Sequence, residues 1–376
     1  MILLTLLFAS LVAGTTPFAP LPAALLESPE LRQLLEAGDL VVARPASDNG
    51  RRVFTGLALA HRPCAQVHQL IANPTTYPLL YPLVERVEVK RKGGARTVFS
   101  MKINAGAAST TRQLTMTALD GQVLDTMQEA GHSTWHFFAV GEDACILHYT
   151  HDEQLTAESL VLRLALSNKG EIVEGIQAAS AAGNVRNVRA YLEKDRRSNP
   201  LPETAVGQAL ARLAEVGTAA FLAYQPGSGV RVAARAGDSV ERALRAARES
   251  ERWGSFIEPL AGRLLSVRTD GKRRMGYTLD SLSEKVDFET WQTANDALIR
   301  EEICGGELTS GGWVWRAVAD ARGVALLLEM RLQIAEGDWL VGKVLSGDRA
   351  AEEGTLLGFA FMLVESVAEH AQKRAR

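Results

Sequence analysis

The chain lacks a strong excess of either charge. Its 41 Lys and Arg stand against 44 Asp and Glu, a formal net charge of -3. That balance excludes a generic phosphate-binding surface, so no nucleic acid is expected as a partner. Basic residues interleave with acids, as in Glu241-Arg242 and Glu249-Ser250-Glu251-Arg252, the pattern of solvated helix faces. Only 3 cysteines are present, Cys64, Cys145 and Cys304. An odd, scattered set excludes a disulfide framework and a cysteine zinc site. Small buried hydrophobes are their expected role, with a Cys64–Cys145 pair open if the fold brings the two together. No segment beyond the N-terminus is long and apolar enough for a transmembrane helix. A nucleophile elbow, a P-loop, a dinucleotide fingerprint and an HExxH helix are also missing, so neither a cofactor nor a metal is expected.

What is present starts with an apolar run, Ile2 to Ala13, of signal-peptide length. Val12 and Gly14 suit cleavage after Gly14, within an export segment spanning residues 1–19. Export to a periplasm or secretion is the expectation. The run has no Lys or Arg before it, so a buried N-terminal helix is the other reading.

The main signal is an internal repeat. Leu34 to Gly38 returns as Leu213 to Gly217, Pro82 as Pro259, Trp135 as Trp313, and Glu174-Gly175 as Glu353-Gly354. The offsets lie between 177 and 179 residues and keep their order. A period of that length is a domain, and 376 residues suit two cores. The domains are expected at 22–195 and 203–376, joined by a charged, proline-containing linker.

Both copies read in one order. An opening helix (Pro22 to Ala37; Thr204 to Val216) leads into a hairpin, marked in the first copy by Ser47-Asp48-Asn49-Gly50. A short helix follows, stopped by Pro74 in the first copy and capped by Asp238 or Ser239 in the second. Strands of period two come next, and each copy ends in a long helix, Glu171 to Lys194 and Ala350 to Lys373. Such a helix must bury its apolar face against a curved antiparallel sheet.

This order, with HRPCAQVHQLIANPTTYPLLYPLVERVEVKRKGG, STWHFF…ILHYTHDEQ and GEIVEGIQAASAAGNVRNVRAYLEK, resembles the START-like superfamily: polyketide cyclases, lipid-transfer proteins and coenzyme Q-binding proteins. The first copy is the better match. The resemblance implies an α+β fold of two tandem helix-grip domains, each an antiparallel sheet wrapped on a long C-terminal helix. It also implies an apolar small-molecule ligand and, for a carrier, transient contact with a membrane.

Four histidines, His132, His136, His148 and His151, fall on the late hairpin of the first copy. With Gly141 to Ala144 as the turn, Val140 pairs with Cys145. That places His136, Phe138, Leu147, Tyr149 and His151 on one face, and His148 on the other with Trp135 and Phe137. The first face is a candidate ligand wall, its other reading being solvent-exposed strand polars. A slip of one residue reverses the faces. A cyclase or hydratase needs a buried acid or base, for which His136, Tyr149, Glu129 and Asp152 are candidates. None has an orienting partner in sequence, so a carrier is favoured over an enzyme.

The closing helices differ. The first has Gly175, Ala178, Ala179, Ser180, Ala181, Ala182 and Gly183; the second has Leu356, Leu357, Phe359, Phe361, Met362, Leu363 and Val364. Small side chains leave volume and bulky ones fill it, so a cavity bordered by Ala179 and Gly183 is expected in the first copy, with the second packed solid. Close contact between helix and sheet is the alternative. Five of 6 tryptophans lie in the second copy, as core or as a partner surface. A structural protein with both cavities filled is the third functional reading.

Overall fold

Strands in each half run in the same spatial order, and the two halves join into one antiparallel sheet. The computed structural model describes residues 18–45, 52–104, 109–128, 131–153, 170–193, 201–224, 229–257, 260–281, 284–334 and 349–373. In the first half, β1 (Gly38–Pro45) and β2 (Arg52–Ala60) form a hairpin. The chain then crosses to the far edge through α3 (Cys64–Ile71) and α4 (Tyr77–Leu80). It returns strand by strand as β3 (Val84–Gly93), β4 (Arg96–Asn104), β5 (Ser109–Asp120), β6 (Val123–Gln128), β7 (Gly131–Val140) and β8 (Ala144–Glu153), which pairs with β2. The second half repeats this with β9 (Thr218–Ala223), β10 (Val230–Arg235), β11 (Leu260–Val267), β12 (Arg273–Ser281), β13 (Glu284–Ala294), β14 (Leu298–Gly306), β15 (Leu308–Asp320) and β16 (Gly323–Ile334).

Helices cover both faces of the central strands. On one face lie α1 (Ala23–Leu26), α2 (Pro29–Ala37) and α6 (Glu203–Leu213), whose leucines pack on Leu40, Leu57 and Phe221. The expected single opening helix is broken at Pro29, where the Ser28 hydroxyl caps α2 by accepting from Leu31 N–H. The short helix of the second half, α7 (Val240–Arg248), is capped by Ser239, as its sequence indicates. On the opposite face lie the closing helices α5 (Gly170–Leu192) and α8 (Arg349–Lys373). They pack against each other in antiparallel fashion, linked by Arg186 to Glu353 and by Arg52 to both Glu174 and Glu365.

The halves meet through β1 and β9, from Gly38↔Ala223 to Ala43↔Thr218. Buried Asp39 on this seam pairs with Arg189 of α5 at 3.2 Å. A symmetric pair of glycines admits the close approach. A Cβ on Gly38 would lie 2.4 Å from the Leu222 carbonyl oxygen, and one on Gly217 would lie 1.9 Å from that of Ala43. Backbone cannot give way as a side-chain tip can. Gly217→Ala is therefore expected to lower stability by about 2 kcal/mol in urea unfolding, and an unchanged midpoint would refute the tight seam.

The cysteine expectation is corrected. Cys64 and Cys145 form a disulfide, with Cα atoms 4.9 Å apart. Ala60 at the end of β2 faces Cys145 across the ladder, so the first residue of α3, four positions on, lands beside it.

Candidate ligand chambers

The late hairpin decides which side chains face the closing helix. Its turn has three residues, Gly141 to Asp143, with Gly141 at φ 66°, so Val140 pairs with Ala144. This is one residue away from the four-residue turn expected from the sequence, and it reverses one strand against the other. His136 now pairs with His148, and Trp135 with Tyr149. Of the candidate wall, Leu147, Tyr149 and His151 share the inner face with Trp135 and Phe137, while His136 and Phe138 lie on the outer face with His148.

The outer histidines hold the N-terminal segment. His136 Nε2–H donates to the Phe18 carbonyl at 2.7 Å, and Leu21 N–H donates to His148 Nε2 at 3.0 Å. Thr134 accepts from Phe18 N–H, and Arg44 donates to the carbonyls of Ala19 and Pro20. His148 thus keeps Nε2 unprotonated, and burial holds its pKa well below the usual imidazole value. His132 pairs instead with Asp125. The candidate acids and bases do not converge: His136 is outside, Tyr149 inside, Asp152 near the strand end, and Glu129 lies outside the described residues. Among the described residues, no group of three His, Cys, Asp or Glu is arranged to hold a metal ion.

Inside the first half, His151 is the unusual group. It is 3% exposed, stacks on Phe54 and lies beside Tyr149, and both ring nitrogens lack a hydrogen-bond partner. Burial pushes its pKa down to about 4, so the ring is neutral at ordinary pH. A buried polar atom without a partner costs about 1–3 kcal/mol, which a bound molecule can offset.

The small residues of α5 act mainly as contacts. The Ala181 carbonyl oxygen would lie 2.3 Å from a Cβ on Gly56, so helix and sheet touch there. Ala179 faces α8, its Cβ 3.3 Å from one built on Gly354, and so lies off the inner wall. A Cβ on Gly183 meets nothing within 4 Å. A cleft of about 850 Å³ opens at the seam between the halves, bordered by Arg52, Thr218, Phe256 and Glu365.

The second half holds a group the sequence gives little sign of. Glu301 on β14 is fully buried. Tyr277 O–H donates to its Oε2 at 2.6 Å, Thr290 O–H to the same oxygen at 2.7 Å, and Gln292 Nε2–H to Oε1 at 3.0 Å. Burial raises the Glu301 pKa against these three donors, and burial plus the neighbouring Glu301 raises that of Tyr277 well above its usual value. Trp313 sits beside Glu301 across the ladder, near enough to favour its anion but outside hydrogen-bond geometry. The indole N–H groups of Trp313 and Trp315 are both buried and unpartnered. Trp253, Trp313 and Trp315 are core residues, and Trp313 and Trp315 share one face as their spacing indicates. Trp339 lies outside the described residues. The sole sequence signal for Glu301 is its phase, midway between Ile299 and Ile303 on a strand.

No family model and no curated protein matches the chain. Solved structures do resemble it. The di-domain ARO/CYC BexL is 13% identical at TM-score 0.32, over 87% of this chain and 99% of that one. DynU16, from the dynemicin biosynthetic locus, is 14% identical at 0.33, over 86% and 98%. A STAR-related lipid transfer protein of Xanthomonas axonopodis is 12% identical at 0.31, over 42% and 94%. The START-like, tandem resemblance read from the sequence recurs among these structures. TM-scores this low carry no functional argument, so function rests on the chain's own side chains.

Proposed function

We propose that the chain binds or carries an apolar small molecule, of lipid, quinone or polyketide type, in the first half. The molecule lies between the inner sheet face and α5. The observation that carries this is His151, a neutral imidazole buried beside Phe54 and Tyr149 with both nitrogens unpartnered. Aromatic and aliphatic walls desolvate the ligand at about 25 cal/mol per Å², and the imidazole orients one oxygen of it. Tyr149 and Leu147 belong to the wall. Each half then acts as a helix-grip, with the closing helix as the palm.

Export is part of the same proposal. The Cys64–Cys145 bridge supports it, since disulfides persist in oxidising compartments. Phe18 and Ala19 belong to the folded body through their bonds to His136, Thr134 and Arg44, which favours cleavage after Gly14 over removal of residues 1–19.

Native mass spectrometry of the exported protein, with solvent extraction, tests both parts. A co-purifying apolar species and a mature chain starting at Thr15 are expected. A ligand-free protein that also fails to bind a dansyl-labelled fatty acid would overturn the carrier reading.

A further inference from the structure

The two halves place different chemistry at the same sheet positions. In the first half Trp135 pairs with Leu124, and in the second Trp313 pairs with Glu301. Phe99 pairs with Leu114, two residues before Met116; Tyr277 pairs with Phe288, two residues before Thr290. Phe99, Met116 and Leu124 therefore correspond to Tyr277, Thr290 and Glu301. All six are buried. A sheet that folds with an apolar trio here in one copy has no packing need for a carboxyl, a phenol and a hydroxyl in the other.

Two more facts point to a bound molecule. Glu301 Oε1 accepts one hydrogen bond of good geometry, from Gln292, while the Trp313 indole N–H stands near the carboxylate without closing a bond to it. The indole N–H groups of Trp313 and Trp315, 2% and 0% exposed, have no acceptor. Acceptor and donors sit side by side, because Glu301 pairs with Trp313 and Ile299 with Trp315 on adjacent strands.

We propose that the interior of the second half is a separate binding site for a small, mostly apolar molecule bearing a hydroxyl, whose oxygen accepts from Trp313 or Trp315 N–H and whose O–H donates to Glu301 Oε1. Tyr277, Thr290 and Gln292 are positioning residues that fix the carboxyl. This goes beyond the first-half reading and does not rest on it.

The test is a nitrogen-15 NMR titration of the full chain with 1-naphthol and with naphthalene, which differ by the hydroxyl alone. The indole peaks of Trp313 and Trp315, assigned by single Trp→Phe variants, are expected to move with 1-naphthol. Glu301→Gln, which preserves volume, is expected to weaken 1-naphthol about tenfold and to leave naphthalene within twofold. Trp315→Phe is expected to do the same, and Glu301→Gln serves alone if that variant does not fold. Equal affinity for both probes in the native chain would overturn the proposal. Movement confined to the Trp135 indole would overturn it while leaving the first-half site standing. No movement at any tryptophan would overturn the proposal, and the first-half site would still stand or fall on the extraction and fatty-acid test.

Discussion

Loss of the Cys64–Cys145 bridge is expected to lower the stability of the protein by about 4 kcal/mol. The bridge spans 81 residues of sequence. A loop of that length gives the reduced, unfolded chain much entropy that the oxidised chain lacks. The enclosed segment is also the part that needs restraint, since it contains the crossing through α3 and α4 to the far edge and every strand from β3 to β7. The measurement is urea unfolding of the oxidised protein against Cys64→Ala/Cys145→Ala. Cys304, exposed and unbridged, is replaced by serine in both to prevent cross-linking between molecules. Reduced wild type and the double variant are expected to coincide. A double variant as stable as the oxidised protein would show that the bridge is incidental.

The second large effect is on acid stability. The His151 pKa is about 4 in the folded protein, against 6.5 for a free imidazole. Its contribution is fully present above pH 6.5. It falls as the pH drops, because only the unfolded chain takes up the proton, and it levels off below pH 4. The window corresponds to about 3 kcal/mol. Glu365 works in the opposite direction across part of this range, since burial raises its pKa to about 7 despite its pairing with Arg52. Total stability against pH is therefore a mixed readout, and the comparison that isolates His151 is wild type against His151→Leu. The variant is expected to gain on the wild type by about 3 kcal/mol between pH 6.5 and 4. Parallel pH profiles for the two proteins would mean that His151 is hydrated in solution.

The repeat was legible because its markers are backbone and packing residues. Gly38 and Gly217 must both admit a neighbouring strand, and Trp135 and Trp313 both fill the same inner position. The closing helices were legible from their length and from the apolar faces they bury. The hairpin register was not, because Gly141 to Ala144 suits a turn of three or of four residues, and that one residue decides which strand positions pair. The one-residue difference in register puts His136 and Phe138 on the opposite face from Leu147, Tyr149 and His151. The partition of the small α5 residues between sheet and α8 was hidden as well, since contact between the closing helices depends on the β1–β9 seam. Glu301 stands next to Glu302, and the pair reads as surface charge until strand phase turns one of them inward.

The β1–β9 seam has a consequence for how this architecture is divided. A duplicated gene ordinarily yields two units that survive apart. Here Asp39 lies at the join, its guanidinium partner Arg189 rests on the ring of Tyr224 from across the repeat boundary, and each closing helix is partly covered by its twin. Cutting the chain at the linker would leave two fragments with a raw strand edge, an uncovered helix flank and, in the first, a buried charge pair opened to water. The unit that was copied is therefore expected to be less stable alone than beside its twin, and a recombination that exchanges one repeat has to preserve the β1–β9 edge and the flank of the closing helix.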